Sequence, residues 1–156
     1  LVLGFIKIDY VTRKEYIENF ITEIDNWATC DIVVSNLKFL KKEKDIYYNF
    51  IKECVSSNDN WRIRFGLVTL LGYYIEEKYI DEIFSLCTNI TNREYYVKMA
   101  QAWLISIMFI KFREKILDYL KENTLDNWIQ NKTIQKIRES IRVSKEDKDL
   151  VLTFKR

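Results

Sequence analysis

Two stretches decide the fold: Trp61-Arg-Ile-Arg-Phe-Gly-Leu-Val-Thr-Leu-Leu-Gly-Tyr-Tyr74 and Val97-Lys-Met-Ala-Gln-Ala-Trp-Leu-Ile-Ser-Ile-Met-Phe109. Both are too long for ordinary strands and are apolar on most faces of a 3.6-residue helix. A helix apolar all round must be sandwiched between neighbours. Amphipathic stretches alternate with them along the chain. Read outward from these two, the sequence predicts helices at about 13–24, 27–40, 43–56, 59–75, 78–89, 92–110, 112–122, 125–142 and 145–154. Residues 1–10 read as the tail of a further helix. Capping boxes mark starts at Thr12-Arg-Lys-Glu15 and Thr91-Asn-Arg-Glu94, with a weaker one at Ser144-Lys-Glu-Asp147.

Composition agrees. The 156 residues include no Pro and three Gly, too few for the turns of a sandwich, a barrel or an α/β fold. The predicted connections are short enough for antiparallel helix pairs. Trp27, Trp61 and Trp103 each fall early or midway in the second helix of a pair, so the pair recurs about every 35–42 residues. That spacing suits an all-α curved solenoid of HEAT-like repeats, with an irregular helical bundle as the competing architecture. The whole of 1–156 reads as one such domain.

The absence of His excludes Ser-His-Asp and Cys-His hydrolases and His-ligated zinc. Cys30, Cys54 and Cys87 form no CxxC and read as reduced core residues. No phosphate loop, dinucleotide fingerprint or metal-ligand cluster is present, and no cofactor or metal is expected. Apolar stretches such as 102–110 fall far below the roughly 20 residues of a membrane span. Net charge is +2, but residues 128–156 hold eight Lys/Arg against four Asp/Glu. A basic C-terminal segment suits nucleic acid, although charge alone favours a solvated helical face.

Four segments could carry chemistry. In Trp27-Ala-Thr-Cys-Asp31, an aromatic and a carboxylate share one helix face one turn apart. An Asp among apolar neighbours needs a partner, so Asp31 either acts chemically or braces a neighbouring helix. In Trp61-Arg-Ile-Arg64, Arg64 either holds a phosphate through its fork of donors or pairs with Asp31. In Tyr95-Tyr-Val-Lys98-Met-Ala-Gln101-Ala-Trp103, Lys98 and Gln101 are expected at an inner groove, with Trp103 on the side of Tyr96. These aromatics suit base or sugar stacking, or simply the core. The last segment, Asn131-Lys132-Thr-Ile-Gln-Lys136-Ile-Arg138, offers Lys132, Lys136 and Arg138 to backbone phosphates.

The combination of these four segments, in this order and spacing, resembles the bacterial DNA alkylation repair family, the AlkD-type alkylpurine DNA glycosylases. The resemblance covers essentially the whole chain and about the C-terminal two-thirds of the family domain, so N-terminal repeats are expected to be missing. It implies a HEAT-like solenoid that hydrolyses the N-glycosidic bond of cationic 3-methyl- or 7-methyl-purines in duplex DNA without base flipping. It also implies a monomer acting in the bacterial cytosol, with no membrane partner. Trp27 and Asp31 match the pair that flanks the lesion's deoxyribose, and Trp103 matches the second Trp of the aromatic cleft. Arg64 matches an Arg that contacts the backbone near the lesion. A non-catalytic DNA-binding module and a protein–protein scaffold are the alternatives.

Overall fold

The computed structural model describes residues 2–156. Among them are nine α-helices and no strand: α1 (Tyr10–Thr22), α2 (Trp27–Asn36), α3 (Leu40–Val55), α4 (Asn60–Tyr73), α5 (Glu77–Asn89), α6 (Tyr95–Lys111), α7 (Arg113–Lys121), α8 (Asn127–Glu139) and α9 (Lys145–Leu152). The even-numbered helices pack in series, α2 on α4, α4 on α6 and α6 on α8, with α3 against the back of α4. This is the all-α solenoid of helix pairs expected from the pattern. The two all-apolar stretches are α4 and α6, the central helices of the inner layer. No helix among the described residues is long and apolar enough to cross a membrane.

Side-chain ties between successive pairs reveal the repeat. Lys44 reaches Glu76, Lys78 reaches Asp45, Asn92 reaches Asn60 and Arg113 reaches Asp147, over separations of 32, 33, 32 and 34 residues. The repeat is thus shorter than the 35–42 residues inferred from the tryptophans. Trp27 and Trp61 both stand at helix starts, whereas Trp103 lies midway along α6 and stretches the second interval.

Helix ends differ from expectation where a cap or a tie intervenes. Residues 1–10 do not form a helix tail among the described residues, and Leu1 lies outside them. Val2–Gly4 makes a single 3₁₀ turn. The carboxylate of Asp9 then accepts from the Thr12 amide at 3.0 Å and the Thr12 hydroxyl at 2.7 Å, so α1 starts three residues before the predicted box. The Thr91–Glu94 box does not form either. Asn92 turns its side chain to Asn60 and to the Glu94 amide, and α6 waits until Tyr95. Ser144 does cap α9, accepting from the Asp147 amide at 3.1 Å. The helix predicted over 27–40 ends at Asn36, because Leu37 leaves helical geometry (φ −76°, ψ 57°).

Close approach of α3 and α4 depends on Gly66. A Cβ there would stand 2.7 Å from Val55 Cγ2 and 2.9 Å from the Val55 backbone nitrogen. Cys30, Cys54 and Cys87 are free and fully buried, and burial pushes each thiol up to about 12.

Candidate active site

The inner layer presents one face of each even-numbered helix, spaced by the i, i+4 rule. Trp27 and Asp31 come from α2, Arg64 from α4, Tyr95, Tyr96, Met99 and Trp103 from α6, and Lys136 from α8. Together they line a cleft of about 460 Å³. That volume is in the range of small-ligand sites.

Asp31 and Arg64 form the floor. Arg64 Nε donates to Asp31 Oδ1 at 3.1 Å and Nη2 donates to Oδ2 at 2.7 Å, a bidentate pair. Arg64 Nη1 donates to the Tyr96 carbonyl at 2.9 Å, so one guanidinium joins α2, α4 and α6. The Arg64 side chain is 5% exposed and that of Asp31 is 18% exposed. Of the two expectations for Arg64, the structure places it as Asp31's partner. Three of its donors are engaged inside the protein. Asp31 remains partly exposed and lines the cleft.

Aromatic residues line the cleft beside Asp31. Trp27 is half exposed, and Tyr95 and Tyr96 are also open to solvent. Tyr96 lies 5.3 Å from Trp61, and Tyr95 meets Tyr96 edge-on at 5.3 Å. Large apolar rings left in solvent around a carboxylate signal a binding surface more than a core.

The cations divide into two groups. Lys136 lies in the cleft itself. Lys98 and Lys132 converge on Trp128, their ammonium groups 4.5 Å and 5.5 Å from its ring centre. Lys132 and Arg138 line an adjoining cleft beside Trp128 and Lys155. None of Lys98, Lys132, Lys136 or Arg138 forms an ion pair among the described residues. Ion-paired cations lie on both layers: Arg62 and Arg64 on α4, and Lys44, Lys52, Lys78, Arg113 and Lys115 on the odd-numbered helices. The unpaired cations of α6 and α8 still give the inner layer positive charge free to meet an anion.

Thus the structure brings Trp27, Asp31, Arg64, Trp103 and Lys136 together, and sets Lys98, Lys132 and Arg138 along one margin. Gln101 is a correction. It is buried, and its Nε2 donates to the Cys87 carbonyl at 2.6 Å, so it faces α5 instead of the groove. Met99 was not singled out by the sequence reading, although the spacing 95, 99, 103 places it on the cleft face.

A family model described as DNA alkylation repair enzyme matches residues 7–143. The chain belongs to the DNA alkylation repair enzyme family. No curated protein and no solved structure gives a significant match. Membership supports a role in DNA repair with DNA as the partner. The matched span of this DNA alkylation repair family member holds every residue of the cleft and stops before α9.

Proposed function

We propose that this protein is a monofunctional DNA glycosylase that releases cationic alkylated purines, 3-methyl or 7-methyl, from duplex DNA without drawing the base into a closed pocket. One observation supports the reading most. Asp31, held by two hydrogen bonds from Arg64, lines an open aromatic cleft with its side chain still 18% exposed.

The chemistry needs little more. Alkylation at N3 or N7 makes the base cationic, so it leaves without a strong acid to protonate it. When the C1′–N bond breaks, its electron pair stays with the base and neutralises it. The sugar becomes oxocarbenium-like, as in other glycoside cleavages. A fixed carboxylate beside C1′ opposes that charge and orients the attacking water, whose proton passes to the carboxylate or to solvent. Arg64 takes up two lone-pair directions of Asp31 and leaves others for the sugar and the water. Trp27 and Trp103 offer ring faces to the cationic base, worth about 0.5–2 kcal/mol each. Lys136 would repel that base, so its place is on a neighbouring phosphate. Lys98, Lys132 and Arg138 continue the phosphate contacts along the α8 margin.

The same ion pair favours a second reading. An Asp31 neutralised by Arg64 is also what a structural brace looks like, and a basic inner layer alone suffices for a non-catalytic DNA-binding module. Incubation with methylated duplex DNA separates the two. Free 7-methylguanine released in proportion to enzyme supports the glycosylase. Salt-dependent duplex binding without release selects the module.

A further inference from the structure

A second cleft borders the candidate reaction cleft at Asp31 and Trp103. It has a volume of about 280 Å³ and runs along the C-terminal halves of α2 and α4. Its floor is Val68, Leu71 and Gly72, and its rim carries Lys38 and Lys41. Tyr73 donates its hydroxyl to the Val34 carbonyl at 2.9 Å and fixes one wall. A third cleft shares Lys41 and Gly72 and carries the groove on toward the Lys44–Glu76 pair. The groove thus borders the candidate active site across Asp31 and Trp103 and adjoins the third cleft at its other end.

Gly72 has no structural reason to be glycine. It lies in the last turn of α4 without a positive φ, and a Cβ built there meets nothing within 4 Å. Gly66, in the same helix, is required by the approach of Val55. A helical glycine is costly relative to alanine, and one with open space over it leaves the backbone accessible to close approach from outside.

Lys38 and Lys41 are exposed, and neither takes part in an ion pair among the described residues. Lys41 sits in the first turn of α3, where the helix dipole disfavours a cation, so local helix energetics do not account for it. The carboxylates nearest the groove, Asp31 and Glu76, are already paired with Arg64 and Lys44. The occupant that fits is an anion chain that presses on the floor and offers charge to the rim.

We propose that this groove is a second backbone track: it takes the phosphodiester chain of the lesion strand as it leaves the reaction cleft, pressed against Gly72, with its phosphates on Lys38 and Lys41. The inference rests on the DNA reading of the main cleft and adds contacts on the side opposite the Lys98, Lys132 and Arg138 margin. The substrate strand is then gripped on both sides of the lesion.

The test is fluorescence anisotropy of a labelled duplex over a range of salt, using the full chain and two independent variants. Each phosphate contact contributes about 0.9 to the slope of log affinity against log salt, so Lys38→Gln/Lys41→Gln lowers the slope by about 2. Gly72→Leu is expected to weaken binding about tenfold at low salt while its melting temperature equals or exceeds that of wild type, because leucine is the better helix former. A slope unchanged in Lys38→Gln/Lys41→Gln, while Lys132→Gln/Lys136→Gln lowers it, overturns this track and leaves the DNA reading intact. Wild-type affinity for Gly72→Leu overturns the track as well. A wild type that shows no salt-dependent duplex binding overturns both.

Discussion

The Asp31–Arg64 pair makes a quantitative prediction about stability, separate from catalysis. Asp31→Asn leaves the Arg64 guanidinium, 5% exposed, without its counter-charge. Breaking a buried pair typically costs about 3–5 kcal/mol. The asparagine's amide oxygen would still accept one hydrogen bond, and Nη1 keeps the Tyr96 carbonyl at 2.9 Å, so the low end, about 3 kcal/mol, is expected. Arg64→Met removes two charge-assisted bonds from Asp31, each worth about 1.5–3 kcal/mol, but water reaches the exposed edge of the carboxylate. A loss of about 2–3 kcal/mol is expected there. The double variant leaves no stranded charge, so the two costs do not add, and the coupling energy should be about 2 kcal/mol. Urea unfolding of the four proteins measures it, with equal m-values confirming that only stability has changed. At about 2–4 °C per kcal/mol for a chain of this size, Asp31→Asn alone should melt about 6–12 °C lower. A coupling energy below about 0.5 kcal/mol would mean that the pair is not formed in solution and that Arg64 does not position Asp31.

Three further outcomes follow from the fold and its charges. Gly66→Ala should destabilise by about 2 kcal/mol, because its new Cβ forces α3 from α4 at Val55; calorimetry showing a neutral effect would contradict the helix spacing. Arg62 holds the Glu18 carboxyl below its ordinary value of 4.5. A depressed folded value gives stabilisation that is full above the unfolded carboxyl range and is lost as pH falls through the folded value, so the advantage of wild type over Glu18→Gln should shrink between neutral pH and about pH 3. Cys30, Cys54 and Cys87, buried and with thiols pushed up to about 12, should resist an aromatic disulfide reagent at mildly alkaline pH until urea unfolds the chain; rapid native labelling would show that the inner layer opens.

Much of this architecture is legible in the sequence because it rests on local rules. Two stretches apolar on most faces had to lie between neighbours, and α4 and α6 do. Trp27 with Asp31, and Tyr96 with Trp103, share faces by helical spacing alone. What escaped the sequence depends on contacts between repeats. Asp31 and Arg64 lie 33 residues apart, and their pairing stood beside a phosphate-binding role until the packing of α2 on α4 decided it. Gln101 misled for a related reason. In a helix buried on two sides, periodicity does not say which side faces the cleft and which faces α5. The start of α6 was misread because Asn92 answers to Asn60 in the preceding repeat, not to its own helix. Lys38 and Lys41 left no signal at all. Only the fold puts the α2–α3 connection on the rim of a groove.

Whether Asp31 does chemistry is measured most directly by single-turnover release of 7-methylguanine from a methylated duplex. Wild type and Asp31→Asn should be compared well below the melting point of the variant, with circular dichroism confirming both folded and anisotropy confirming both bound. Removing a preorganised charge from beside the developing oxocarbenium should slow release by about 10²–10³ while duplex affinity stays within a few-fold. Equal release rates for the two folded, DNA-bound proteins would contradict a catalytic Asp31 and leave it as the brace that joins α2 to α4.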